Sequence, residues 1–337
     1  MLAASFRSSG EGYEPVMALE PMEDYFRDRV TVQARTVDRL RASVIFTPDL
    51  QGPPEAGHGG GVAAMLFELV RLLLDERGGA LRIPRPVQIE AVLHREVPLE
   101  TPLFAEVVAA HDGWHSRIRR NERLLAEADV RPIGAPLAPP PPGVRREWES
   151  SRGSASEVPG YEFCLACGLL NPRGVQVRFE YNDALVWKQL IPQAHFRCRD
   201  GSLFPGYLCV VCDEIGWWLG ALRQGECGLS NRVTVVLDQP VAHGVPLLAL
   251  GARSAVNTSD PKERVWQTHA AVVTPDWRPV ATTEVQFAGS RAFTKVMLPK
   301  FLPGHATAVE RVFPRYKATQ NVPEPTPARG GAPSVSS

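Results

Sequence analysis

Two stretches of the sequence combine residue types that could do chemistry. The first is Gly57-His58-Gly59-Gly60-Gly61-Val62-Ala63-Ala64-Met65-Leu66-Phe67-Glu68, a glycine turn opening straight into an apolar helix. The second is Leu203-Phe204-Pro205-Gly206-Tyr207-Leu208-Cys209-Val210-Val211-Cys212-Asp213-Glu214, again a turn and an apolar helix, here carrying two adjacent acids. Unpaired N–H groups at a helix N-terminus, with the helix dipole behind them, favour a developing oxyanion. Glycine there lets a reacting group approach closely. A carboxylate on the facing wall can act as general base or nucleophile.

The two stretches keep a fixed spacing. His58 and Phe204 are 146 residues apart, and so are Val87 and Val233, where the β-rich runs that follow begin. A long constant offset with the same element order marks a duplicated domain rather than a short solenoid repeat. Plainer roles stay open for each residue. The glycines can serve the turn alone, the His58 ring can pack on a sheet, and an acid in a buried helix is usually paired.

A third segment completes the pattern: Cys164-Leu165-Ala166-Cys167-Gly168, then Asn171-Pro172-Arg173-Gly174-Val175. With the two turn-plus-helix stretches it resembles the hotdog-fold thioesterases, in particular the phenylacetyl-CoA thioesterase-like branch. The resemblance covers most of residues 24 to 296. It implies an α+β fold: a tandem (double) hotdog, each unit a curved antiparallel sheet wrapped around one long helix. It also implies that the glycine turn of one unit faces the helix acid of the other. In the first copy His58, Gly59 and Gly60 match the turn, while Phe67 holds the acid position, with Glu68 beside it. In the second, Phe204-Pro205-Gly206 replace the turn, and Pro205 has no N–H to donate. Asp213 holds the acid position there, followed by Glu214. The resemblance therefore implies one composite site, with Asp213, His58, Gly59 and Gly60 as catalytic residues, and one degenerate site. A one-residue slip in the glycine run would instead bring Glu68 to the acid position. Glu68, Phe204, Gly206, Trp217, Arg117 and Arg119 are the substrate-binding candidates. Core packing is the plain alternative for Trp217, and a solvated strand face for the arginines.

The 337 residues fit two domains, and 44% apolar composition can fill two cores. Lys+Arg and Asp+Glu both number 37, which argues against nucleic acid or an anionic membrane as partner. No apolar run is long enough to suggest a membrane span. Met1 to Tyr13 lacks the apolar core of a secretory signal, and the six cysteines need not be paired. A cytoplasmic setting is expected. Cys164-x-x-Cys167 raises a zinc site with Cys198, Cys209 or Cys212. Cys209 and Cys212 fall on an apolar helix, however, where cysteine is a small hydrophobe, so no metal is expected.

Along the chain, 1–23 reads as a poorly ordered lead-in and 24–135 as the first unit. Residues 136–158, with Pro139 to Pro142, read as an extended, exposed linker. Residues 159–296 form the second unit, its first strand at Val175, Val177 and Phe179, and 297–337 a mobile tail. Three functions compete. The first is hydrolysis of an acyl-CoA or acyl-carrier thioester, with coenzyme A entering as part of the substrate and no separate cofactor. The second is a hotdog dehydratase or hydratase. The third is non-catalytic acyl-thioester binding. Association of double hotdogs into a homo-oligomer is compatible with each.

Overall fold

The computed structural model describes residues 19–75, 83–151, 155–301 and 303–319. The first unit contains α1 (Met22–Asp28), β1 (Val30–Arg35), β2 (Arg39–Val44), α2 (Gly59–Leu74), β3 (Val87–Leu93), β4 (Leu103–Ala110), β5 (Gly113–Arg120) and β6 (Arg123–Pro132). Next come α3 (Pro142–Ser151), β7 (Ser156–Glu157), β8 (Glu180–Tyr181) and β9 (Leu185–Leu190). The second unit continues with α4 (Pro205–Gln224), β10 (Gly228–Leu237), β11 (Leu247–Ala252), β12 (Val265–Val273), β13 (Pro279–Gly289), α5 (Arg291–Phe301) and α6 (Ala306–Val312).

The strands form one sheet in the order β1-β2-β4-β5-β6-β3-β10-β13-β12-β11-β9-β8-β7. Its seam is the antiparallel pair β3/β10, where Ile89 faces Val235, Val87 faces Leu237 and Ala91 faces Val233. Ile89 and Val235 are themselves 146 apart, so the seam sets a residue against its own counterpart. That is the isologous pairing of a two-fold dimer, made within one chain.

The core lies on the inner face of this sheet, around α2 and α4. Apolar side chains cover much of the circumference of α2, and every residue from Gly60 to Val70 is buried. Asp213 and Glu214 are buried on α4 among apolar neighbours. The two helices meet near their N-termini, where glycine is obligatory. A Cβ on Gly60 would lie 2.4 Å from the Cys209 carbonyl oxygen and 2.7 Å from Val210 Cα. On Gly206, the counterpart, it would meet Ala64 Cβ at 3.0 Å. Among the described residues no helix is long and apolar enough to cross a membrane.

Four sequence expectations are corrected. Residues 22 and 23, assigned to the lead-in, begin α1, because Met22, Tyr25 and Phe26 fall on one helical face and are buried. Residues 1–18 lie outside the described residues. The segment 136–158 is not extended throughout: α3 occupies part of it. Pro142 stands at the first helical position, where its missing N–H costs no hydrogen bond. Trp148 then packs with Trp277, Leu185, Trp187 and Leu248 on the outer face of the second unit's part of the sheet. Val175, Val177 and Phe179 are no sheet strand, since the Val175 and Val177 N–H groups bond back to the carbonyls of Leu165 and Ala166 (2.8 Å each). The tail from 297 is structured up to 319. Met297, Leu298 and Phe301 of α5 and Val309 and Val312 of α6 are buried in the core, and 320–337 lie outside the described residues.

The helix crossing predicts a stability effect. Gly60→Ala should cost about 1–3 kcal/mol, because the obstructing atoms are backbone and cannot rotate away. Urea unfolding measures it, and an unchanged midpoint would contradict the close approach.

Candidate active site

The glycine turn is held from both units. The Gly57 N–H donates to the Val97 carbonyl (2.8 Å) and the His58 N–H to the Leu50 carbonyl (2.9 Å). From the second unit, the Leu165 N–H donates to the Gln51 carbonyl (2.7 Å) and the Asn171 amide to the Asp49 carbonyl (2.8 Å). The Cys-x-x-Cys-Gly and Asn-Pro-x-Gly segment is thus a clamp that folds over the entry to α2, and it carries Cys164 to His58.

His58 is the N-cap of α2. Its Nδ1 accepts from the N–H of Gly60 (3.1 Å) and of Gly61 (3.4 Å), satisfying donors left open by the first turn. The Gly60 N–H points chiefly at Asp213 Oδ2, 2.6 Å away. Asp213 Oδ2 also stands 3.4 Å from His58 Nδ1, and Glu214 Oε2 stands 3.2 Å from His58 Nε2. The imidazole is therefore sandwiched between two carboxylates of the other unit. The other oxygen of Glu214 accepts from the Trp218 indole N–H (3.0 Å).

All these groups are buried, and burial sets their proton affinities. By itself it would push the His58 imidazole down, but Cys164, Glu214 and Asp213 hold it well above the usual histidine value. Burial pushes the Asp213 carboxyl up; His58, the nearby Ser230 hydroxyl and the Gly60 N–H reduce the rise without cancelling it. The Cys164 thiol is pushed up by burial and pulled down further by the Cys167 hydrogen bond and the His58 ring, to about 6. Cys167, facing Cys164, is raised.

The cluster lines a cavity of about 450 Å³. Gly59 borders it, and its N–H has no acceptor among the described residues. Asp213 Oδ1, Ser230 Oγ and Asn231 Oδ1 border it too, all buried; the Ser230 hydroxyl lies near enough to Asp213 to steady its charge but does not reach hydrogen-bond geometry, and none of the three atoms has a hydrogen bond of good geometry among the described residues. The rest of the wall is largely apolar, with Val62, Leu93, Trp217, Phe293, Met297 and Phe301. The arrangement offers one helix-terminal donor, one buried acid and an apolar chamber between them. Donor atoms of His58, Cys164 and Glu214 lie within 4.8 Å of one another, so these three could hold a metal ion.

No family model and no curated protein matches the chain. Solved structures do. A TesB protein of Mycobacterium avium subsp. paratuberculosis superposes with a TM-score of 0.52 at 12% identity, over 79% of this chain and 99% of that one. A proposed thioesterase of Novosphingobium aromaticivorans gives a TM-score of 0.52 at 16% identity, over 77% and 98%. An N-terminal dehydratase of the difficidin assembly line gives 0.51 at 12%, over 80% and 99%. The chain folds as a double hotdog. Thioesterases and dehydratases share this fold, so the fold alone does not choose between them.

In the double hotdog, His58, Gly59, Asp213 and Trp217 border one cavity, and Gly60 reaches it through its N–H. The other candidates lie elsewhere. Glu68 is buried in an ion-pair cluster with Arg27 (2.9 Å), which reaches over from α1, and with Arg71 (2.7 Å), one turn along α2. The register slip that would bring Glu68 to the acid position does not occur. Phe204 packs on Phe26 (ring centroids 5.3 Å apart), and Gly206 is enclosed at the helix crossing. Neither borders the cavities at either turn. Arg117 and Arg119 alternate with buried Ser116 and Ile118 on β5, so they face outward, and Arg117 pairs with Glu106. The degenerate turn borders its own cavity of about 400 Å³, where Pro205 faces Phe67.

Several site residues were not singled out from the sequence. The sequence offers Cys164 and Cys167 as an opening segment and as a zinc pair with other cysteines, but nothing in it puts them beside His58; Ser230 and Asn231 sit where β10 starts. Phe293, Met297 and Phe301 recur every four residues, a helical signal masked by Pro299. The Glu68 cluster yields a prediction. Glu68→Gln should lower the unfolding free energy measured in urea by about 2 kcal/mol, since it leaves half-buried guanidinium charge less compensated. Ligand affinity should stay unchanged, and the reverse pattern would put Glu68 in the site.

Proposed function

We propose that the protein hydrolyses acyl thioesters at the composite site. The observation that carries this reading is the position of Asp213. One oxygen is fixed on the Gly60 N–H of the other unit, and the second makes no hydrogen bond of good geometry among the described residues and borders the same largely apolar cavity as Gly59. The acyl group would lie along Trp217, Met297 and Phe301, with its carbonyl oxygen on the Gly59 N–H at the positive end of α2. Asp213, its pKa raised by burial, is suited to take a proton from water. The water oxygen bonds to the carbonyl carbon, the C–S bond breaks, and the thiolate leaves with the proton that Asp213 returns. The products are a carboxylic acid and a free thiol. Coenzyme A or an acyl-carrier arm would enter as part of the substrate, and this route needs no separate cofactor.

A dehydratase reading has one observation in its favour, the His58–Asp213 pair across the unit interface (3.4 Å). The two activities separate in assay, since hydrolysis releases thiol whereas hydration of an enoyl thioester removes its conjugated absorbance without releasing thiol.

Asp213→Asn should lower kcat/KM for thiol release by at least about 100-fold while circular dichroism is unchanged, because the amide keeps the shape and loses the base. A loss of only a few-fold would remove Asp213 from the chemistry and leave an acyl-thioester binder. Met297→Ala, which deepens the apolar wall, should move the preference toward longer acyl groups. An unchanged chain-length profile would place the acyl group elsewhere.

A further inference from the structure

We infer that His58, Cys164 and Glu214 form a binding site for a zinc-class divalent cation at the wall of the cavity. An imidazole nitrogen of His58, the Cys164 Sγ and a Glu214 carboxylate oxygen lie within 4.8 Å of one another, all three residues buried. Tetrahedral zinc, with bonds of roughly 2.0–2.3 Å, sets its ligand atoms about 3.3–3.8 Å apart. The His58 Nε2 to Glu214 Oε2 separation is 3.2 Å, already close to one edge of that tetrahedron.

The surroundings are arranged as they are around metal ligands. With Nε2 on a metal the imidazole proton sits on Nδ1, where Asp213 Oδ2, 3.4 Å away, would accept it as an outer carboxylate does, in place of the Gly60 and Gly61 contacts that Nδ1 accepts in the metal-free ring. The Trp218 N–H occupies Glu214 Oε1 and leaves Oε2 toward His58. The Ala166 N–H donates to Cys164 Sγ at 3.3 Å, as backbone amides do to a thiolate in a tight Cys-x-x-Cys turn. That turn closes with the Gly168 N–H on the Cys164 carbonyl (3.0 Å), and a Cβ on Gly168 would come within 2.5 Å of the Cys164 backbone. The Cys167 thiol is thereby set beside that of Cys164, on the same cavity wall.

The donor set points the same way. Two carboxylates, two thiols and one imidazole share a buried corner, a set of nitrogen, sulfur and oxygen donors of the kind that zinc takes. The donors come from both units, so the ion would tie the glycine turn of one to the clamp and helix of the other. Cys198, Cys209 and Cys212, the partners considered for Cys164 from sequence, do not belong to this group. The site shares its cavity with the proposed hydrolysis but does not depend on it.

The test uses the full chain, stripped with a chelator and titrated with Co²⁺ and then Zn²⁺. One equivalent of Co²⁺ should bind, with a thiolate-to-cobalt charge-transfer band, and Zn²⁺ should displace it. Cys164→Ser should abolish the band. Glu214→Gln should keep the band and weaken Co²⁺ by at least about tenfold, since even losing an outer partner of a ligand costs that much. Cys198→Ser should change neither. No stoichiometric uptake, a band that survives Cys164→Ser, or Co²⁺ affinity unchanged in Glu214→Gln would each overturn the site. The Glu214→Gln comparison decides the matter should Cys164→Ser fail to fold. A chain that cleaves thioesters but takes up no Co²⁺ overturns the metal site alone, and the converse result overturns the hydrolase reading alone.

Discussion

The structure depends on how closely the N-terminus of α2 approaches α4. Gly60 meets the backbone of Cys209 and Val210 at a distance no side chain would permit. Because it does, Asp213 reaches the Gly60 N–H at 2.6 Å, and the His58 ring fits between Asp213 and Glu214. Two adjacent buried acids would otherwise be costly. Here the open donors and dipole of α2 receive one, and the imidazole and the Trp218 indole receive the other. The clamp formed by Cys164 to Gly174 fastens the turn in place and adds two thiols to the same corner.

The seam is symmetric, yet the two sites are not. Ile89 faces its counterpart Val235, whereas Gly59 corresponds to Pro205 and Asp213 to Phe67. One turn keeps its N–H groups and faces an acid. The other lacks a donor at its first position and faces an aromatic ring. These positions serve packing: Phe204 lies against Phe26, and Glu68 pairs with Arg27 and Arg71. The double hotdog thus concentrates its polar machinery at one of two equivalent interfaces.

Much of this was legible in the sequence, for physical reasons. The offset that relates Val87 to Val233 is also the offset that the seam requires. The apolar runs from Val62 and from Tyr207 could only be buried helices. That Asp213 and His58 approach each other followed from the resemblance, since they are distant in the chain and no local signal joins them. Other features were opaque. Pro142 looked like a helix breaker but stands where proline starts a helix. Pro299 hid the periodicity of Phe293, Met297 and Phe301. The outward direction of Arg117 and Arg119 became clear only from the burial of Ser116 and Ile118 between and beside them. Cys164 joined His58 through a clamp whose hydrogen bonds, such as Leu165 to Gln51, are invisible in residue order.

The central claim is that substrate carbonyl and acid meet between the units, at the N-terminus of α2. A crystal structure with a non-hydrolysable acyl-CoA thioether ketone tests it most directly. The ketone oxygen should lie about 3 Å from the Gly59 N–H, with Asp213 on the opposite side and the acyl chain along Trp217 and Met297. An analogue seated instead in the cavity between Pro205 and Phe67, or with its ketone turned away from Gly59, would contradict the account.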